Sequence, residues 1–377
     1  MSRRNGRNGQ APVDAAEKSG PEARGHEAPM FQGLQGGRPV AERAGHQDRR
    51  RGTGRRGGRR RGGGEETMVP DAEFTSYYGR PVLKPPVWKH EIPLYLFTGG
   101  LAAGSAVVAA GADLTGRPAL RRASWLGSFG SVLASAFFLI YDLGRPERFH
   151  HMLRVAKPTS PMSVGTWILT AFGPGVGAAA VNELVPHRWR RLRVFRLLDR
   201  LARPLGLSSA AIAPSLASYT SVLLSHTAVP GWNEVRDELP FVFVGSAAAS
   251  GGGFGMLAAP VAENGPARLF AAAGATGELV AARVMEHRMG LVREAYEHDH
   301  VARYGRGAEW LTVAGLAGTV LLAGRSRAGA AASGLALLAG SFCQRFRVFE
   351  AGVESTKDPK YVVVPQRARL DARTPAH

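Results

Sequence analysis

From Ile92 onward the chain repeats a length rather than a motif: runs of roughly 20 mostly apolar residues, each closed by a charged or proline-containing connector. The runs fall at 92–112, 123–141, 162–183, 208–228, 240–262, 266–285, 308–324 and 328–346. A helix rising about 1.5 Å per residue needs about 20 residues to cross a hydrocarbon core of about 30 Å, so this pattern predicts eight transmembrane helices. The fold class expected is therefore an all-α integral membrane protein, arranged as two four-helix bundles. The last two runs are rich in Ala and Gly and are joined by the short "GRSRAG". A large soluble protein with eight buried helices is the competing architecture, and it has no need for Arg-rich connectors between such runs. An even number of spans puts both termini on one side of the bilayer, here called the N face.

Around this core, residues 1–67 read as a disordered Arg/Gly-rich tail and 68–91 as a lead-in segment. The transmembrane domain covers 92–346, and 347–377 is expected to be a C-terminal extramembrane tail. The first 67 residues hold too few aliphatic and aromatic side chains to offset the entropy of ordering. Their "RRRGTGRRGGRRRGGG" contains a formal G-x-G-x-x-G at Gly52, Gly54 and Gly57, but no strand precedes it and no helix follows. The tail contributes to the net charge of +18, and such a basic run attracts anionic lipid or nucleic acid through phosphate. A solvated tail is the ordinary reading of a charge block, so membrane lipid is the expected partner and nucleic acid is not. A translation start at Met68, where composition changes abruptly, would remove the tail altogether. No n-region, h-region and cleavage-site pattern of a removable signal peptide opens the chain.

The single cysteine, Cys343, excludes a disulfide framework, a cysteine-bound iron-sulfur cluster and a multi-cysteine zinc site within this chain. A transmembrane haem needs paired histidines deep in the helices, and only His226 approaches such a position, so no haem and no metal site are expected. Small residues at helical spacing, Gly100 with Gly104, Gly173 with Gly177 and Gly251 with Gly255, predict close helix crossings. Pro174 is expected to kink the third span, and "SGGGFG" at 250–255 to loosen the fifth. Between Pro186 and Leu207, "HRWRRLRVFRLLDRLARPL" alternates Arg with apolar residues, as in an amphipathic segment lying on the membrane surface.

Polar side chains gather at the N face. They include His90, Glu91 and Tyr95 at the start of span one, Tyr141 and Asp142 at the end of span two, and His226 at the end of span four. "GWNE" at 231–234 and Arg283, Glu286 and His287 at the end of span six complete the set. The opposite face offers only Asp113, Glu183 and Glu263, at helix ends where water is near. Ionisable groups near lipid are costly, so such a cluster marks a functional region. Tyr219 and His226 share one stripe of span four, and Glu91 and Tyr95 share one face of span one. Phenol, imidazole and carboxylate at that depth suit hydrogen bonding and proton exchange with a lipid-soluble carbonyl or phenol. Satisfied structural groups and interfacial aromatic anchors are the competing explanation for each alone. Glu278 is the deepest acid, read either as the partner of another helix or as a proton relay; Arg283 is on a different stripe.

Four stretches, "YYGRPVLKPPVWKHEIPLYLFTGGLAAGSAV", "YDLGRPERFHHMLRVAKPTSPMSVGTW", "YTSVLLSHTAVPGWNE" and "FRVFEAGVESTKDPKYVVVPQR", resemble the NrfD family, the membrane subunits of polysulfide-reductase-like complexes. The resemblance covers about residues 70–370. It implies an eight-helix subunit that binds menaquinone or ubiquinone and has no haem. Such a subunit exchanges electrons with a peripheral four-cluster iron-sulfur protein serving a molybdopterin catalytic subunit. By motif position it implies quinone contacts at Tyr95, Asp142 and Tyr219, with His226 nearby; Tyr95 stands where some members carry a histidine, and His90 or Glu91 are the neighbouring substitutes. Proton transfer is expected through His90, Glu91 and Glu278, and partner docking through Arg145, Arg148, His150, His151 and Arg154. Such a subunit is non-catalytic or contributes only the quinone site. A proton or solute transporter built on Glu278, Pro174 and the fifth span, and a purely structural membrane anchor, are the other functional classes. The Arg-rich segment after Pro186 argues for the cytoplasmic side and so places the termini on the outer face of the cell membrane.

Overall fold

A computed structural model describes residues 81–186 and 188–373; the expected disordered tail 1–67, the start at Met68 and most of the lead-in segment lie outside the described residues. The long helices are α1 (Glu91–Leu114), α2 (Pro118–Asp142), α3 (Pro161–Leu184), α4 (Arg193–Ser225), α6 (Leu239–Ala258), α7 (Gly265–Arg288), α9 (Asp299–Leu321) and α10 (Arg327–Ser355). Shorter ones are α5 (Pro230–Asn233), α8 (Arg293–Tyr296) and α11 (Lys360–Asp371), and 3-10 turns occupy Pro146–Arg154, Trp189–Arg191 and Gly290–Val292. No strand occurs among the described residues.

The helix starts follow from local chemistry. Pro118 and Pro161 open α2 and α3, where a missing N–H costs nothing. The Glu263 carboxylate, brought in from the loop before α7, accepts from the backbone N–H groups of Ala119 and Leu120 at 2.7 and 3.1 Å. Ser326 caps α10 by accepting from the Gly329 N–H at 3.0 Å.

The long helices pack as two rings of four. In one, α1, α2, α3 and α4 pack in cyclic order; in the other, α6, α7, α9 and α10 do, and α1 against α6 joins them. In the most apolar stretch of α1 and of α6, 72% of residues are buried, against 28% in α2, so the first pair forms the centre and α2 the rim. Among the described residues, five helices, α1, α2, α3, α4 and α6, are long and apolar enough to cross a membrane. Helices α7, α9 and α10 have 24, 23 and 29 residues but carry more charge, including Arg268, Glu278, Glu309 and Arg345.

Four expectations change. The "SGGGFG" run does not loosen its helix: α6 is continuous, and its glycines are contact points. A Cβ on Gly251 would lie 2.2 Å from Gly104 of α1, one on Gly252 2.6 Å from the Ala267 carbonyl of α7, and one on Gly253 2.9 Å from the Gly334 carbonyl of α10. Three consecutive residues thus seat three different helices, as packing in lipid requires. Likewise, a Cβ on Gly173 would meet nothing closer than Val132 at 4.0 Å, and the tight α3–α4 approach is made at Gly175, where a Cβ would lie 2.4 Å from the Leu205 carbonyl. The Arg-rich stretch is not a separate surface segment either, because from Arg193 it is the first part of the 33-residue α4. Finally, α10 continues past position 346 to Ser355, with Val348, Phe349, Ala351 and Gly352 buried.

Gly104 gives a direct test. Its added Cβ would stand 1.9 Å from the Ala247 carbonyl oxygen, a backbone atom that has no rotamer to escape into. Gly104→Ala is expected to destabilise the fold by about 1–3 kcal/mol, as overpacking does, with a lower thermal midpoint in detergent. A midpoint equal to that of the parent chain would refute the α1–α6 crossing.

At the end away from the N face, the acids are paired. Asp113 receives Arg203 at 2.8 Å and Arg121 at 3.3 Å, Glu183 receives Arg121 at 2.7 Å, and Asp199 receives Arg190 at 3.1 Å. They line a cleft of about 300 Å³ beside Trp125.

Candidate functional site

The N-face cluster begins at the first turn of α1. Glu91 is its first residue, a favourable place for an acid at a helix N-terminus, and its Oε2 is buried with no hydrogen-bond partner. One turn on, Tyr95 is buried at 3% exposure, with Ser135 of α2 donating to its carbonyl at 3.5 Å. Asp142, the last residue of α2, is half-buried and within electrostatic reach of Glu91 and Lys89. Two carboxylates of neighbouring helices therefore stand near one another at the rim, with Lys89 within electrostatic reach.

Tyr219 lies on α4, buried at 8% exposure, and its ring fills the hollow left by Gly165 of α3, where a Cβ would come within 2.1 Å of it. Among the described residues, neither the Tyr95 nor the Tyr219 hydroxyl has a hydrogen-bond partner. Tyr95 is four residues from the start of α1 and Tyr219 six from the end of α4, so both phenols lie about 6–9 Å inside the helix ends. His226 differs from its stripe-mate: it is the exposed C-cap of α4, its N–H bonded to the Val222 carbonyl at 3.0 Å. His90 is also exposed, stacked on Phe346 with centroids 6.2 Å apart and 4.0 Å from Glu350.

The loop after Asp142 is a 3-10 turn, Pro146–Arg154, held to the start of α3. Ser163 and Trp167 both donate to the Val155 carbonyl, at 2.8 and 3.2 Å. Arg145, Arg148, His150, His151 and Arg154 are all exposed on it, beside exposed Phe149 and Leu153. Partial desolvation, then the charges of Arg154, His150 and Arg148, pull the His151 pKa below its usual value. Basic and apolar groups stand side by side on this loop.

"GWNE" has a packing role. Trp232 is fully buried, donating to the Val348 carbonyl at 2.8 Å, and Gly231 receives the Tyr296 hydroxyl at 2.9 Å. Burial raises the Tyr296 pKa, which keeps this donor protonated. Deeper in the second ring, Glu278 is 3% exposed, its Oε2 is buried without a hydrogen-bond partner, and it lies within electrostatic reach of Arg345 of α10. Arg345 is 1% exposed, donates to the Phe243 carbonyl at 2.8 Å, and lies 3.7 Å over the Phe243 ring. Arg283 instead pairs with Glu309, and Glu286 with Arg347 at 2.8 Å. A cavity of about 20 Å³, room for about one water, leads from Glu278 past Gln344 and Thr312 toward those pairs.

The structure thus brings together Glu91, Tyr95 and Asp142, keeps Tyr219 at similar depth, and sets Glu278 apart in the second ring. Arg345 was legible as one of two arginines, with Arg347, inside the largely apolar "SFCQRFRVFE". The pair His298 and His300 was legible as His-x-His in "EHDH".

Residues 81–269 match the profile of the family described as "Polysulphide reductase, NrfD". The chain belongs to the NrfD family. The match ends at the start of α7, so most of the second ring lies beyond it although the resemblance in motifs reaches further. A similar relative, the "Protein NrfD homolog" of Haemophilus influenzae, is 24% identical over 184 residues, 44% of this chain and 56% of that protein. The chain therefore spans only a little over half the length of that relative. With its apolar helices, this NrfD-family chain is a multi-pass membrane protein.

Proposed function

We propose that the chain is the quinone-interacting anchor subunit of a molybdopterin oxidoreductase complex. It passes electrons between menaquinone or ubiquinone and a peripheral four-cluster iron-sulfur subunit, which serves a molybdopterin catalytic subunit. In this reading all eight long helices cross the cell membrane, with the Arg-rich end in the cytoplasm and the N face outside. The observation that carries it is the orphaned, buried Glu91 Oε2 beside Asp142, in an NrfD-family chain, at the end where Tyr95 and Tyr219 keep free hydroxyls.

These groups fit a quinone head: two phenolic donors at one depth, and two carboxylates between that depth and water. When bound, a quinone supplies two-electron chemistry coupled to two protons. Tyr219 donates its O–H toward the site, and its ring, seated on Gly165, fixes the direction. Glu91 and Asp142 hold the proton at the rim and pass it to N-face water. The chain adds no electron carrier of its own to this scheme, so electrons leave toward the partner docked on the basic 145–154 loop.

The burial of two opposite charges, Glu278 and Arg345, favours a second reading, proton or solute transport through the second ring. That reading predicts flux without a redox partner, and the unbroken α6 removes the fifth-span gate it would use. Purification in mild detergent followed by quinol addition decides between them. An iron-sulfur protein should co-purify and its clusters should be reduced by quinol; a stable complex lacking any iron-sulfur protein would sink the anchor reading.

A further inference from the structure

A second polar cluster lies outside the residues assigned to quinone. His298 caps α9 and His300 is in its first turn, while Glu350 and Glu354, four apart, share one face near the end of α10. His298 Nε2 lies 3.5 Å from Glu354 Oε1, His300 Nε2 3.8 Å from Glu350 Oε2, and His90 Nδ1 4.0 Å from Glu350 Oε1. Ligand atoms of His298, His300 and Glu354 all fall within 4.8 Å of one another. The second carboxylate oxygen of Glu354 accepts from Lys357 at 2.6 Å, which leaves Oε1 directed at the imidazoles.

We propose that His298, His300 and Glu354, with Glu350 as a further carboxylate, bind a divalent transition-metal ion of the zinc class. The His–Glu separations are longer than good hydrogen bonds but close to those between ligands on one ion. With metal–nitrogen and metal–oxygen bonds of about 2.0–2.2 Å, tetrahedral neighbours stand about 3.4 Å apart. Two imidazoles and a carboxylate are a borderline donor set that suits zinc, cobalt, nickel or iron and disfavours calcium or magnesium. Lys357 plays the outer role, orienting the ligating carboxylate by its hydrogen bond. Fixing the first turn of α9 to the last turns of α10, the ion would pin the N-face end of the second ring. All four ligands are partly exposed at the rim, with side-chain exposures of 54, 35, 19 and 13% for His298, His300, Glu350 and Glu354, so an ion can enter from water.

The test uses the full chain with a non-histidine affinity tag, purified in detergent and stripped with chelator. Zn²⁺ is followed by calorimetry and Co²⁺ by its visible absorption. One equivalent should bind, with Co²⁺ bands of a four- or five-coordinate site. His298→Ala with His300→Ala should weaken Zn²⁺ binding at least 100-fold, Glu354→Gln at least 10-fold, and His150→Ala with His151→Ala not at all. Glu354→Gln keeps the side-chain shape, so it carries the test if the double variant does not fold. Absence of saturable binding, or unchanged affinity in the ligand variants, would overturn the site. Metal binding is read directly, so the result is independent of quinol turnover.

Discussion

Asp142→Asn should lower quinol-linked reduction of the partner's iron-sulfur clusters by about 100-fold or more, with the complex still assembled, because a positioned proton acceptor contributes about 10²–10⁴ in rate. The substitution preserves shape and the half-buried setting at the end of α2, so it removes proton exchange and little else. Tyr219→Phe should act in the same direction, since the ring still fills the hollow at Gly165 and only the hydroxyl is lost. The measurement is stopped-flow reduction of the co-purified subunit, with subunit stoichiometry checked on the same sample. A purely structural anchor predicts wild-type rates for both variants, so unchanged rates at full stoichiometry would remove the quinone site from this end of the bundle.

The largest stability effect is expected at Arg345. Replacing it by Met would remove the cation that acts through space on buried Glu278 and the donor to the Phe243 carbonyl, and leaving a buried charge uncompensated costs up to about 3–5 kcal/mol. The double variant Glu278→Leu, Arg345→Met removes both charges and should recover most of that loss, since well-packed apolar residues often replace a buried pair at little cost. Thermal midpoints of the three chains in one detergent form the cycle. If the double variant is no better than Arg345→Met alone, the two groups are not coupled. Quinol-linked turnover in a stable double variant would place proton transfer elsewhere than Glu278.

Much of the architecture was legible because lipid imposes a length. Runs of about 20 apolar residues can only be crossing helices there, and five of the eight keep that character outright. The two rings follow from short connections between neighbouring spans. What escaped the sequence depends on which neighbour a residue meets. The glycines at 251–253 look like a weakness along the chain, yet in three dimensions they face three different helices. Gly173 and Gly177 have suitable spacing, but it is Gly175 that approaches the next backbone. Spacing also grouped Tyr219 with His226, but the helix ends at Ser225 and leaves the imidazole outside. The partner of Glu278 is 67 positions away, on a helix whose arginine signals a buried cation without naming its counterpart.

The length of α4 bears on how the protein responds to the bilayer itself. Its 33 residues extend about 50 Å, some 20 Å more than a hydrocarbon core. The surplus is the arginine-bearing end, from Arg193 to Arg203, which stays with the headgroups because drawing it inward would bury charge. When a membrane thickens, that end holds its level and the mismatch is taken up at the other, where Tyr219 resides. The height at which a lipid-borne head meets this phenol would then vary with acyl-chain length, making lipid composition a dial on the reaction.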